Sequence, residues 1–237
     1  MFTQVFLLFF LLSFLFILSQ KITSHIFTFL YWLTKSESLS LWFFVLLFLP
    51  GTIIHELSHF LLATILRVPT GELSILPAIE KKGEEREIKT GKLTIGKTDP
   101  FRLSIIGLAP LIVGLVIIYL IGKTFLPDIS YILNTKYLIL NTLCFYLLFA
   151  ISTTMFSSKK DLESLMIALP IVLLLFLSLY IIGVRIFLEN TLIDKITKIL
   201  SDLNFYLLIT GVLDFIVYLF LATNLTFWRK ILRFKSS

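Results

Sequence analysis

Apolar residues fall along this chain in long blocks rather than in alternation. Six blocks can be drawn, at residues 2–19, 41–68, 101–121, 137–156, 162–184 and 203–222, with a shorter apolar piece at 22–33. Uninterrupted apolar runs of about 18 residues or more read as membrane-crossing helices. The short piece either extends the first helix or lies at the membrane interface. The second block is interrupted by Pro50-Gly51. At 1.5 Å per residue it would be about 40 Å long, enough to cross a bilayer with a tilt or a kink.

Between the second and third blocks lies the one sizeable polar stretch, residues 69–100. It holds Gly71-Glu-Leu-Ser-Ile-Leu76 and Ile88-Lys-Thr-Gly-Lys-Leu-Thr-Ile95. The alternation on either side of Thr90-Gly91 predicts short strands forming a hairpin. The charged run Glu80-Lys-Lys-Gly-Glu-Glu-Arg-Glu87 reads as a solvated turn. The expected fold is therefore an all-α polytopic membrane protein of about six transmembrane helices with a small cytoplasmic β-hairpin insertion, as one domain over residues 1–237.

Composition agrees. Of 237 residues, 57% are hydrophobic and 15% charged, and mean hydropathy is +0.96. Soluble domains carry about 25% charged residues, so neither a water-soluble fold nor a disordered chain is compatible with these values. The net charge of +6 is not read as a nucleic-acid signal, because in membrane proteins excess Lys and Arg mainly mark cytoplasmic loops. Its use here is orientation. With six crossings, the side of the N-terminus receives 14 Lys and Arg and the other side 7. That bias predicts both termini and the strand loop in the cytoplasm. The N-terminal block lacks a basic n-region and a small-residue cleavage site, so it reads as a retained helix. The single Cys144 excludes an internal disulfide and reads as a small buried residue.

Against this apolar background, Pro50-Gly-Thr-Ile-Ile-His55-Glu56-Leu-Ser-His59 stands out as an H-E-x-x-H pattern. On a helix, His55 and His59 project from one face with Cβ atoms about 5–6 Å apart. Two imidazoles so placed can bind one Zn²⁺ at about 2.0–2.1 Å. Glu56 is rotated away from that pair and suits the role of general base toward a metal-activated water. Ionisable residues within a membrane span are costly and mark function. A catalytic zinc needs a third protein ligand as well as an open position. Asp161, between the fourth and fifth blocks, and Asp214, in the middle of the sixth, are the candidates, with His25 and Cys144 behind them. Ser158-x-x-Asp161 also has the pattern of a capping box, and a buried Asp214 also suits pairing with a neighbour such as Asn141. Spacing leaves the choice open.

The stretch Gly51-Thr-Ile-Ile-His55-Glu56-Leu-Ser-His59-Phe, with an arginine-ended helix and a strand loop after it, resembles the site-2 protease family of intramembrane zinc metallopeptidases. Gly107-Leu-Ala-Pro110 is similar to the small-residue stretch on that family's second core helix. The resemblance covers residues 41–165. It implies hydrolysis of peptide bonds in membrane-spanning or membrane-proximal proteins, with one zinc per chain held by His55, His59 and a downstream aspartate, and with Glu56 activating the water. The family's usual Asn-x-x-Pro…Asp-Gly motif is absent, since Asp214 is followed by Phe. Thr154-Met-Phe-Ser-Ser-x-x-Asp161 instead resembles a pattern of small prokaryotic members. On that resemblance Asp161 is the expected third ligand, Asp214 the alternative, and a prokaryotic cell membrane the expected location. The strands could hold an unwound substrate by strand addition. The rival reading is a non-catalytic metal-binding membrane protein, either a carrier or a client-binding pseudoprotease. Few further ligand residues line the spans, and Glu56 is intact, which weighs against both.

Overall fold

A computed structural model describes residues 2–74, 78–82, 85–89, 92–96, 98–126, 138–156, 170, 174, 178, 181–183 and 189–235. Five long helices and four short strands make up these residues. They are α1 (Phe2–Thr34), α2 (Glu37–Ile65), β1 (Thr70–Ser74), β2 (Ala78–Lys82), β3 (Glu85–Lys89), β4 (Lys92–Ile95), α3 (Pro100–Phe125), α4 (Leu138–Thr154) and α5 (Asn190–Lys235). Four helices are long and apolar enough to cross a membrane: α1, α2, α3 and the part of α5 up to Phe227. The piece at 22–33 continues the first helix without a break. The fourth block yields a helix of 17 residues, about 26 Å long and short of a bilayer core of about 30 Å. The fifth block falls almost wholly outside the described residues.

The helix ends follow local chemistry. Ser36 caps α2 by accepting from the Leu39 N–H, and Asp99 caps α3 by accepting from the Arg102 N–H at 2.9 Å, with Pro100 at the first helical position. Arg67 closes α2 with a left-handed backbone (φ 55°). Its N–H donates to the Thr64 carbonyl at 3.1 Å, and the Val68 N–H donates to the Ala63 carbonyl at 2.8 Å. This is a Schellman motif. Its hydrophobic contact, Ala63 with Val68, packs on Ile106 of α3 and so ties the end of α2 to that helix.

The strands are present, but their pairing differs from expectation. β1 pairs antiparallel with β4, and β2 with β3 in the register Ala78↔Lys89 to Lys82↔Glu85. The charged run read as a turn therefore supplies most of the β2–β3 ladder, and Thr90-Gly91 lies between strands of different pairs. Its rungs pair Glu80 with Glu87, Lys81 with Arg86 and Lys82 with Glu85. A count of alternating apolar residues does not register such a ladder, because charged residues form its rungs.

Helix directions are fixed by side-chain contacts. Asn204 Nδ2 donates to Gln4, the Phe14 and Phe215 rings lie 6.3 Å apart, and Lys21 sits over the Tyr218 ring. These pairs advance together along both chains, so α1 and α5 run parallel. If both cross the bilayer, the two termini lie on opposite sides. The expectation of a shared cytoplasmic side rests on six alternating crossings, and among the described residues four helices are long and apolar enough to cross. By contrast, Phe27 against Phe44, and Thr34 hydrogen-bonded to Ser40, make α1 and α2 an antiparallel pair.

Candidate metal centre

The second helix carries the chemistry because its apolar run continues through Pro50. His55, Glu56 and His59 are all buried, at 5%, 8% and 6% exposure. The two imidazoles meet edge to face, with Nε2 of each 3.2 Å apart. His59 Nδ1 lies 2.8 Å from the Ile106 carbonyl oxygen. A carbonyl can only accept, so Nδ1 carries a proton, and in the Nδ1–H tautomer the Nε2 presents a lone pair toward His55. The Ser58 hydroxyl donates to the His55 carbonyl at 2.6 Å within the same turn.

This geometry can be tested against a metal. Two nitrogens bound tetrahedrally at about 2.0–2.1 Å are about 3.3–3.4 Å apart. The observed 3.2 Å is close to that chord. A ligating histidine ordinarily donates its other ring N–H to a carbonyl or carboxylate, as His59 does here. The pair therefore fits two ligands of one zinc. Among the described residues, no group of three or more His, Cys, Asp and Glu is placed to hold a metal ion.

The aspartates separate on position. Asp214 is fully buried on α5, with its Oδ2 accepting from the Ser152 hydroxyl of α4 at 2.8 Å and its Oδ1 without a hydrogen-bond partner. It does not join the histidines in a metal-binding group, and its partner is Ser152, not the suggested Asn141. Asp161 lies outside the described residues. The Tyr146 hydroxyl donates to the Leu47 carbonyl at 2.9 Å, and Gly51 lies against Ala150 and Thr154. Thus α4 runs beside α2 in the same direction. One turn beyond Gly51 is His55. His25 is remote, its Nδ1 donating to Lys21 and its ring against Tyr218, and Cys144 is buried ten residues before Thr154.

Several residues that hold the site in place carry little signal of their own. The Gln20 side-chain amide donates to the Phe156 carbonyl at 3.2 Å, where α4 gives way to the following segment. Phe16 packs edge-on against the Phe156 ring. Gly114 of α3 lies against Met155. Gln20 was visible only as one amide in an apolar run, and nothing local indicates its partner 136 residues away.

No family model matches this chain. No curated protein and no solved structure matches it either.

Proposed function

We propose that the chain is an intramembrane zinc metalloendopeptidase that cleaves membrane-spanning or membrane-proximal proteins. The observation that carries this reading is the buried pair of Nε2 atoms 3.2 Å apart, with the Nδ1 of His59 held by a backbone carbonyl and Glu56 next in sequence to His55. A structural histidine pair would have no need of a buried glutamate in the same turn, and burying an ionisable group in an apolar bundle is costly.

His55 and His59 would hold the metal, with Asp161 as the third ligand. A bound zinc supplies Lewis acidity, which polarises a carbonyl and makes water a competent nucleophile near neutral pH. Glu56 takes the proton of the attacking water and delivers it to the leaving amine. The bundle keeps bulk water out and strengthens each of these interactions. Peptide bonds in a helix are shielded by their own hydrogen bonds, so the substrate must present an extended stretch. Each strand of the two-stranded ladders has one unpaired edge, which suits strand addition. Eight Lys and Arg from residue 67 to 102 favour a cytoplasmic strand region and N-terminus, against four in the C-terminal tail.

The test is Glu56→Gln in proteoliposomes with a single-span substrate. Zinc content should stay at one per chain while cleavage falls about 10²–10⁴-fold, the usual contribution of a general base. Cleavage at the wild-type rate sinks the protease reading. Weakly held, exchangeable zinc with no cleavage by either protein would favour the carrier.

A further inference from the structure

Pro110 lies inside α3 and is buried. A proline has no N–H, so the carbonyl four residues earlier in its helix loses its ordinary donor. Four residues before Pro110 is Ile106, and the Ile106 carbonyl is the acceptor of the His59 Nδ1–H at 2.8 Å. The Ile106 side chain is fully buried against Ala63 and Val68, which fixes this stretch of α3 against the end of α2. A carbonyl left without a donor in an apolar bundle costs free energy, so the pairing with His59 is favoured from both sides.

From this we infer that Pro110 is a positioning residue for the metal centre: by removing one helical N–H it reserves the Ile106 carbonyl for His59 and sets that ring in the tautomer whose Nε2 faces His55. The inference rests on the metal-site reading and adds the reason for a proline at that place in α3. Pro110 touches no reacting atom; it acts through His59. Replacing it with alanine restores an N–H that competes for Ile106. His59 is then free to carry its proton on either nitrogen, and the Nε2–H form cannot bind a metal through Nε2 beside His55.

The experiment uses the full-length protein in nanodiscs with ¹⁵N-labelled histidine, metal-free, so that the tautomer is read without substrate, zinc or activity. Wild type should show His59 protonated at Nδ1, and Pro110→Ala should show a mixture. Zinc affinity, titrated separately, should drop about 10–100-fold, as for loss of other partners that orient a ligand. Ile112→Val, on the exposed face of the same helix, should change neither. Three outcomes would overturn the inference: wild-type His59 protonated at Nε2, Pro110→Ala indistinguishable from wild type, or equal losses in Pro110→Ala and Ile112→Val. The wild-type tautomer decides the matter even if Pro110→Ala does not fold. A protein with the expected tautomer and zinc affinity that cuts no peptide would refute the protease and leave this inference standing.

Discussion

Gly51 offers the sharpest test of how the candidate site is held. It lies one turn before His55, where α2 meets α4. A β-carbon built there would run into the Ala150 carbonyl and the Thr154 hydroxyl, and would come within 2.8 Å of the Ala150 carbonyl carbon. Ordinary contact begins at about 3.4 Å, so the helices must part by more than half an ångström. Backbone cannot rotate away as a side chain can. At Gly114 the same operation meets the Cβ and sulfur of Met155 at 3.1 Å, and a methionine sulfur is easily moved.

Both substitutions gain about 1 kcal/mol of helix propensity on going from glycine to alanine. At Gly114 little opposes that gain. At Gly51 overpacking of about 1–3 kcal/mol opposes it, near the upper end because the obstacle is backbone. Gly51→Ala should therefore be less stable than Gly114→Ala by about 2 kcal/mol, or about 4–8 °C in melting temperature at this chain length. Function should respond more steeply, since misplacing catalytic groups by about 1 Å can cost about 10²-fold. Melting in detergent and cleavage in proteoliposomes, measured on both variants, check this. Equal melting temperatures, or a wild-type rate in Gly51→Ala, would refute the close approach of α2 and α4.

Two further predictions follow from the same contacts. Asp161→Ala should lose its zinc, whereas Asp214→Ala should keep it and lose stability by about 1–3 kcal/mol through the abandoned Ser152 partner, as metal analysis and melting of the two purified variants would show. Tags at the two termini should be digested by protease from opposite sides of sealed vesicles, because α1 and α5 run parallel; digestion of both from one side would contradict that direction.

What could be read from the sequence was what is local in it. His55 and His59 are four residues apart, so their common face, with Glu56 rotated away from it, follows from helical geometry alone. The apolar blocks gave the positions of α1 to α4 and the core of α5 for the same reason. The strand pairing was misread because β2 and β3 are built from Glu80–Lys82 and Glu85–Glu87, whose charged rungs mimic a turn. Sidedness is non-local: counting crossings assumes that successive blocks alternate, while the direction of α5 is set by Gln4, Phe14 and Lys21 of α1, about 200 residues away. The third ligand is non-local in the same way. Spacing could nominate Asp214, but only the contact with Ser152 shows it to be engaged elsewhere.

The polar residues of the bundle then acquire a common logic. In a lipid environment every backbone group must find a partner inside the protein, so irregular backbone survives only where other helices satisfy it. Here the Ile106 carbonyl behind Pro110 is met by His59, the Phe156 carbonyl two residues past the end of α4 by Gln20, and the Leu47 carbonyl of α2 by Tyr146. Each donor comes from a different helix than its acceptor. A bundle needing only to be stable could have kept apolar side chains at all three places. Carbonyls met by side chains of neighbouring helices let polar groups such as the buried His55–His59 pair sit among apolar helices without leaving backbone unpaired.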